Sequence, residues 1–331
     1  MSKDPANQET TNTTDTEVLE ASRRLTRRSF AIAAMGAVAG FGLYRWVDRG
    51  RDMGGQPLLR RRALQFNAAL SRKVFDDRAL APTYPTSQAG KLRINGLIGI
   101  KKAILPESWR LQVVGVENER SFPQYVPDVT SWVYEYSKGE ESTEGDHFTY
   151  VPPEPVLDRT NPIPERGGKS SRTQRESERS YSALQTSTPG LLLEMKDLLR
   201  LSAHDLVTEF KCVEGWSQVT HWRGIRMSDF LAAYPPARMA DGSLPRYVYM
   251  ETPNSEYYVG YDLNVCRHPQ TLLVTEMSGE PLTQLHGAPL RLHTPTKYGY
   301  KQIKRIGLIA YTNAKPDDFW TKLGYDWYAG L

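Results

Sequence analysis

Residues 209–225 have the sequence EFKCVEGWSQVTHWRGI and contain Cys212, one of two cysteines in the chain. The segment before it, LLLEMKDLLRLSAHDLVTEFKC, predicts a short helix followed by a strand that ends at Cys212. A carboxylate, a glycine and two tryptophans surround the thiol in sequence. The second cysteine, Cys266, lies in a separate segment. The role of Cys212 is therefore the first question that the sequence raises.

The number and spacing of the cysteines leave four roles open for Cys212. Two cysteines in an exported protein most simply form a disulfide, here between Cys212 and Cys266. A buried free thiol is the second alternative. A nucleophile that works with His221 is the third. A zinc ligand has the weakest support, because the sequence has neither a CxxC motif nor a paired histidine spacing.

Length and composition favour a folded protein with a sizeable core. The chain has 331 residues, of which 39% are hydrophobic and 10% aromatic. The formal net charge of +4 is small and spread along the sequence. Nothing in it resembles the concentrated basic stripe of a nucleic-acid-binding protein, so we expect no nucleic-acid partner.

The remaining sequence patterns predict a mixed α+β fold in which strands dominate. LRINGLIGI (92–100), WRLQVVGVE (109–117) and PRYVYMET (245–252) have the composition of strands, the first one broken by glycines. RMSDFLAAYPP (226–236) predicts a short helix that two prolines end. The segment from residue 289 to the WTKLGYDWY end predicts further strands. We therefore expect a single domain over residues 51–331.

The stretch 137–190 differs in composition from the sequence on either side of it. Proline, glycine, serine and charged residues dominate it, with few periodic apolar positions. A loop of this length is unusual inside a compact domain. We interpret it as a surface insertion that does not divide the domain.

The first 50 residues predict an export or anchoring segment. Residues 1–22 are polar and threonine-rich, a composition typical of disorder. TRRSFAI, from Thr26, precedes a charge-free run over residues 29–44, as in a twin-arginine export signal. Ala37-Val38-Ala39 has the small-x-small pattern of a cleavage site, and an uncleaved membrane anchor is the alternative. The expected location is the periplasm or the outer face of the inner membrane.

Four blocks in order give the chain its resemblance to a known family. They are CVEGWS at 212–217, WRGIRMSDFL at 222–231, HGAPLRL at 286–292 and KYGYKQIKRI at 297–306. Over roughly residues 90–331 the chain resembles the molybdopterin-binding domain of the sulfite oxidase family. The branch that it resembles most contains the exported reductases of protein methionine sulfoxide. The resemblance implies the sulfite-oxidase fold, a molybdenum–molybdopterin cofactor and an oxidoreductase activity.

The resemblance also implies roles for individual residues. Cys212 would be the catalytic residue that ligates molybdenum, which suits a soft thiolate beside the dithiolene sulfurs of the pterin. An arginine and backbone amides of a glycine-containing turn would neutralise the pterin phosphate, with Tyr298 to Lys301 leading to that turn. The residues that the family pattern assigns to the cofactor are Asn95, Thr252, His286, Arg291, Gln302, Ile303 and Lys304.

Two departures from the family pattern affect the expected substrate. The reductase branch has asparagine at the position of His286, whereas sulfite oxidases have histidine there. Sulfite oxidases follow their cysteine with arginines that bind sulfite, whereas this chain has Gly215-Trp216-Ser217 and places Arg223 and Arg226 farther along. Without anion-binding arginines beside the metal, a neutral sulfoxide is the expected substrate.

The expected electron partner is a second protein. The sequence has no CxxCH haem-attachment motif, so electrons would come from a membrane cytochrome b subunit, and the twin-arginine machinery would export the folded protein. Two alternatives remain. One is a sulfite-oxidising or other oxidative molybdenum enzyme. The other is a non-catalytic envelope protein with a Cys212–Cys266 disulfide.

Overall fold

The computed structural model describes residues 78–138, 187–322 and 325–331, together with individual positions between residues 40 and 76. The chain divides into two compact units, residues 1–62 and 63–331. The predicted disordered segment, the predicted export signal apart from Gly40 and Gly42, and residues 139–186 of the predicted insertion lie outside the described residues. Among the described residues, no helix has both the length and the apolar character needed to cross a membrane.

The second unit is built mainly of strands. The strands in the described residues are β1 (Leu111–Val114), β2 (Tyr125–Val126), β3 (Gly190–Leu193), β4 (Ala203–Lys211), β5 (Ser217–Arg226), β6 (Tyr247–Glu251), β7 (Tyr258–Asp262), β8 (Leu272–Met277), β9 (Glu280–Pro281), β10 (Arg291–His293) and β11 (Leu308–Thr312). The α-helices are short: α1 (Met195–Leu198), α2 (Met227–Ala233), α3 (Leu263–Cys266) and α4 (Phe319–Lys322).

Six strands form a mixed sheet in the order β2-β3-β1-β11-β6-β7. β1 and β11 run parallel, with Gln112 opposite Leu308, and the other neighbours in this sheet are antiparallel. The parallel pair joins segments almost 200 residues apart in sequence. The N-terminal and C-terminal parts of the domain therefore meet in the centre of one sheet.

The second sheet has the order β10-β8-β5-β4, with β9 paired to β8, and is antiparallel throughout. β4 and β5 form a long hairpin in which Lys211 lies opposite Ser217. Residues 212–216 form the turn of this hairpin, where Gly215 adopts a positive φ of 90° that favours glycine. The hairpin thus places Cys212 at the end of a regular strand, as the sequence predicts.

The two sheets share one large core, and a second core covers the opposite face of the five-stranded sheet. Leu273 on β8 lies in the large core with Val113 and Ile309. Its neighbours Leu272 and Val274 lie in the second core, because successive side chains on a strand point to opposite faces. The second core also contains Phe210, Cys212 and Trp222.

Gly224 on β5 allows β5 and β8 to approach each other closely. A Cβ atom at this position would lie 2.2 Å from the Leu273 carbonyl oxygen, a backbone atom that cannot move aside. We expect Gly224→Ala to lower the free energy of unfolding by about 3 kcal/mol, measured by urea denaturation. In Gly242→Ala a Cβ meets no atom within 4 Å, so only the positive-φ cost of about 1 kcal/mol remains. Equal losses in the two variants would contradict this interpretation.

Most sequence-predicted elements are confirmed, with shorter bounds. β1, β4, β6 and α2 lie where the patterns predict them, and the fold is α+β with strands dominating. The strand predicted at 92–100 is wrong, because positive φ angles at Gly96 and Gly99 turn the backbone away from an extended path. The strand predicted at the WTKLGYDWY end is also wrong, since α4 occupies its first described residues.

Candidate active site

A cavity of about 270 Å³ opens beside the turn of the β4–β5 hairpin. Its wall is polar where Asn95, Cys212, Arg291 and Lys304 contribute, and largely aromatic elsewhere. The aromatic lining residues are Phe210, Trp216, Tyr257, Tyr300, Trp320 and Tyr325. Segments from five parts of the sequence therefore meet in one cavity.

The thiol of Cys212 lies among polar groups on the cavity wall. The Asn95 amide Nδ2 lies 3.6 Å from the Cys212 Sγ and donates to the Glu214 carboxylate at 3.1 Å. The Trp216 indole Nε1 donates to the same carboxylate at 2.9 Å. The thiol itself donates to Glu214 across 3.6 Å. Asn95 and Glu214 thus fix the position of the sulfur atom.

Burial raises the pKa of the Cys212 thiol, and the nearby Glu214 charge adds to this effect. The free thiol is therefore protonated at neutral pH, and the sulfur is a poor nucleophile by itself. A bound metal cation reverses this balance, because a coordinating thiol is deprotonated outright. The environment of Cys212 favours a metal ligand over the nucleophile assisted by His221 that the sequence left open, since the His221 Nε2 bonds to Asp205 instead.

Arg291, on β10, is a buried cation on the same wall. Its side chain is 1% exposed. Nη1 donates to the His286 carbonyl at 3.0 Å, and the guanidinium lies 4.9 Å from the centre of the Trp222 ring. Burial lowers its pKa to about 10, so it stays charged at neutral pH. Its Nε is buried without a hydrogen-bond partner, which leaves a donor ready for an anion.

Lys304 is the second cation of the cavity, and its side chain is half-buried. Its Nζ donates to the carbonyl oxygens of Asn95 at 2.7 Å and Gly96 at 2.8 Å. These bonds hold the 95–96 turn against the cavity. Burial, and then repulsion by Arg291, lower the pKa of Lys304 to about 7. An anion bound between these two cations would raise that pKa again.

We expect the stability of the apoprotein to rise with pH because of Lys304. Its pKa is about 7 in the folded protein and 10.5 in a free lysine, so the unfolded chain binds more protons between these values and stability increases across this window. The measurement is urea denaturation from pH 7 to pH 10. Lys304→Met should flatten the slope, whereas Lys91→Met, at an exposed lysine, should not. An unchanged slope in Lys304→Met would contradict the assignment.

The loop of residues 297–304 is anchored from behind by buried polar groups. The hydroxyl groups of Tyr257 and Tyr261 donate to the carbonyl oxygens of Tyr300 and Lys301. The Lys301 ammonium pairs with Asp318 in an ion pair whose side chains are 1% and 0% exposed. Lys301 therefore points away from the cavity and fixes the loop, and Lys304 is left to face the cavity.

The structure brings together five of the eight sequence-predicted site residues. Asn95, Cys212, Arg291, Gln302 and Lys304 line the cavity. The other three do not line it.

Thr252, His286 and Ile303 lie behind the wall. The Thr252 hydroxyl accepts from the Tyr257 amide at 3.1 Å and so shapes the turn that places Tyr257. The His286 Nε2 pairs with the Leu92 carbonyl at 2.9 Å. The Ile303 side chain is fully buried in the large core, and its backbone N–H and carbonyl bond to the Lys301 carbonyl and the Leu292 amide, so Ile303 supports the loop without facing the cavity.

Comparison with known proteins identifies the part of the chain that carries this cavity. Residues 185–320 match the family model described as the oxidoreductase molybdopterin binding domain. This part of the chain is a molybdopterin-binding oxidoreductase domain. It contains Cys212, Arg291 and Lys304 and ends at Trp320, whereas Asn95 lies outside the matched range.

Two relatives of this molybdopterin-binding domain are catalytic subunits of protein-methionine-sulfoxide reductase, MsrP. The protein from Xanthomonas campestris pv. campestris is 36% identical over 141 residues, which is 40% of this chain and 44% of the relative. The protein from Campylobacter jejuni is 30% identical over 155 residues, which is 43% of this chain and 52% of the relative. The chain thus spans about half the length of the curated relatives that it matches.

One solved structure was also similar in part. The match to the sulfane dehydrogenase SoxCD from Paracoccus pantotrophus covers 40% of this chain and 37% of that chain, at 17% identity. The TM-score of this match is 0.36. The family model is the finding that confirms the predicted sulfite-oxidase type of domain.

The residues of the cavity fit a molybdenum–pterin group. A thiol lies on the wall, and a buried guanidinium nitrogen without a partner lies on the same wall. Soft sulfur suits molybdenum and arginine suits phosphate. Within the described ranges there is no cluster of three or more His, Cys, Asp or Glu side chains arranged for a metal ion.

Several residues that line this cavity escaped sequence reasoning. Glu214 lies inside the quoted CVEGWS motif, and its position two residues after the cysteine could have identified it as a site residue. Arg93 lies next to the Asn-Gly pair, 5.8 Å from the Trp216 ring centre. Trp320 and Tyr325 come from the C-terminal segment that was wrongly predicted as a strand.

Proposed function

We propose that the protein reduces a sulfoxide-type substrate, such as protein methionine sulfoxide, by oxygen-atom transfer at a molybdenum–molybdopterin cofactor bound through Cys212. The observation that carries this proposal is the shared cavity, in which Cys212 lies on the same wall as Lys304 and the unpartnered Nε of Arg291. The methionine-sulfoxide reductase names of the relatives support the substrate class.

The reaction converts R₂S=O, two electrons and two protons into R₂S and water. Bound molybdopterin would supply the metal centre that exchanges the oxygen atom and the electrons with the substrate. The Asn95 amide would hold the Cys212 sulfur in place, since it already lies 3.6 Å from it. Arg291 and Lys304 would bind the pterin phosphate as charge-assisted donors.

Backbone carbonyl groups next to the cavity would keep these donors in position. The His286 carbonyl accepts from Arg291, and the Asn95 and Gly96 carbonyls accept from Lys304. Neither cation needs to move far to meet a phosphate. Pre-positioned charge of this kind lowers the cost of reorganisation on binding.

The arginines downstream of Cys212 do not contribute to the cavity. Arg223 lies on the surface, where it pairs with Asp205 and lies 3.8 Å from Glu276. Arg226 is exposed at the end of β5. The aromatic part of the wall, which includes Tyr300 and Tyr325, suits an uncharged thioether group. These placements support a neutral sulfoxide substrate.

Arg93 favours a second candidate function, the oxidation of sulfite. It lines the cavity and its side chain is exposed, so it offers a cation to an incoming anion. The substrate test compares free and peptide-bound methionine sulfoxide, with a reduced dye as donor, against sulfite, with an oxidised dye as acceptor.

We expect turnover with the sulfoxides and little with sulfite, and Arg93→Gln should leave the KM for sulfoxides unchanged. Lys91→Gln, at a nearby exposed residue, is the matched control. A wild type that turns over sulfite alone, with a KM that rises about ten-fold in Arg93→Gln, would favour the second function.

The non-catalytic alternative with a Cys212–Cys266 disulfide has no support in the fold. Both cysteines are free and buried. Cys266 ends α3 in the large core, and Cys212 lies in the second core on the other side of the five-stranded sheet.

We further propose export by the twin-arginine route to the periplasm or the outer face of the inner membrane, with electrons supplied by a membrane cytochrome b partner. The support is the TRRSFAI sequence and the absence of a CxxCH motif from the full sequence. Fractionation of cells that express the full chain tests the location, with Arg27→Lys/Arg28→Lys as the variant. Unchanged delivery of that variant would contradict the proposal.

A further inference from the structure

β10 presents two polar side chains to the second core. Arg291 pairs with Val274 and His293 with Leu272, whereas Leu292 between them pairs with Leu273. Leu272 and Val274 belong to the second core, so strand alternation places Arg291 and His293 on that same face. His293 is fully buried.

Both ring nitrogens of His293 are hydrogen-bonded. The Nε2 lies 2.7 Å from the Thr208 hydroxyl on β4, and the Nδ1 lies 2.7 Å from the Gln302 Oε1. β4 and β10 are opposite edges of the sheet, three strand spacings or about 14 Å apart if it were flat. The contact therefore requires a curled sheet, and His293 bridges its two edges.

The partners of His293 determine its tautomer. The Gln302 Nε2 donates to the Lys297 carbonyl at 3.0 Å, so the other amide atom, Oε1, is an acceptor and must receive a proton from Nδ1. Burial lowers the pKa of His293 to about 3, so the ring is neutral at physiological pH. A neutral ring with a proton on Nδ1 has a bare Nε2, which accepts from the Thr208 hydroxyl.

These hydrogen bonds connect residues 297 and 302 of the 297–304 loop and anchor that loop to β10. The Gln302 side chain bonds back to residue 297, and His293 fixes the other end of the same amide. His293 also stacks on Trp222 with ring centres 4.6 Å apart, and Trp222 is the ring that lies against the Arg291 guanidinium. His293 thus contacts both Gln302, in the loop that carries Lys304, and Trp222, which packs against Arg291.

We propose that His293, held as the Nδ1–H tautomer by Gln302 and fixed in place through Nε2 by Thr208, is a positioning residue that orders Gln302 and the 297–304 loop for binding the cofactor phosphate. The inference rests on the proposed function, because it concerns the same cofactor. The Gln302 amide is engaged with the protein through both its oxygen and its nitrogen, so its part in binding is to brace the loop.

The first test compares two buried threonines that lie directly opposite each other. Thr208 and Thr220 are cross-strand partners and both are fully buried, but the Thr220 hydroxyl has no hydrogen-bond partner. Thr208→Val should speed the loss of molybdenum from purified holoprotein about ten-fold, as expected when one buried hydrogen bond is lost. Thr220→Val should leave that rate unchanged. Equal rates in the two variants would overturn the inference.

The second test asks whether His293 acts through Gln302. His293→Phe keeps a flat ring against Trp222 and removes both hydrogen bonds, and Gln302→Leu removes the other partner. If the two act as one unit, the double variant should release molybdenum no faster than the more affected single variant. The inference would be overturned if the increase in release rate in the double variant equalled the product of the two single increases.

A spectroscopic measurement on the apoprotein separates this inference from the proposed function. Long-range ¹H–¹⁵N correlation spectra should show the Nδ1–H tautomer of His293 in the wild type, and in Thr208→Val the same tautomer with a shifted Nε2 resonance, because the bare Nε2 loses its hydrogen bond. The opposite tautomer in the wild type would overturn the inference even if the enzyme is active. A wild type that never binds molybdenum would overturn the proposed function as well.

Discussion

Cys212→Ser is expected to leave a folded protein with almost no oxygen-transfer activity. The hydroxyl of serine is a hard donor and replaces a soft thiolate poorly at molybdenum. Loss of an outer partner of a metal ligand typically costs about 10–100-fold, so loss of the ligand itself should cost more. The measurement is kcat with a sulfoxide substrate and a reduced dye, normalised to folded protein by circular dichroism.

The second cysteine provides the matched control. Cys266 is fully buried in the large core, and burial raises the pKa of its thiol well above the usual value. Cys266→Ala should lower the free energy of unfolding by about 1 kcal/mol through the small cavity it leaves, with kcat unchanged. Activity retained in Cys212→Ser would remove the ligand role from Cys212.

Arg291→Met is expected to lose the cofactor while the apoprotein keeps its fold. Methionine fills the space of the arginine stem but supplies no charge, so a phosphate dianion would be left in the cavity with one cation fewer. The substitution loses the Nη1 bond to the His286 carbonyl but also removes a buried charge whose Nε has no partner, and because the two effects oppose each other the melting temperature of the apoprotein should change little. Molybdenum per chain should fall at least about ten-fold.

An arginine outside the cavity is the control for this experiment. Arg226→Met changes an exposed residue on the end of β5 and should leave molybdenum content unchanged. Full molybdenum occupancy in Arg291→Met would exclude Arg291 from the anion site. Collapse of the apoprotein would show instead that Arg291 is needed for folding.

The motif residues could be predicted from the sequence because each lies at the end of a regular element. Cys212 follows β4 directly, and Arg291 begins β10, so local patterning fixes where both backbones go. The structure then brings Lys304 into the same cavity. Local patterns placed these backbones, and the family resemblance supplied the roles of the side chains.

The rest of the site depends on contacts that no local pattern reveals. The 92–100 segment has strand composition, yet glycines at positive φ turn it, and the Lys304 ammonium holds its carbonyls. His293 reaches Thr208 only because the sheet curls. Trp320 and Tyr325 line the cavity from a C-terminal segment that lies more than 100 residues after Cys212. Long-range packing of this kind has no signal in periodicity.

The most direct test of the account is the molybdenum and pterin content of the purified wild-type protein. The full chain should be produced in a host that makes molybdenum cofactor, purified without denaturant, and analysed by metal mass spectrometry and by fluorescence of the oxidised pterin. We predict about one molybdenum and one pterin per chain, as a single thiolate ligand requires. A soluble, folded protein that contains neither would contradict the account.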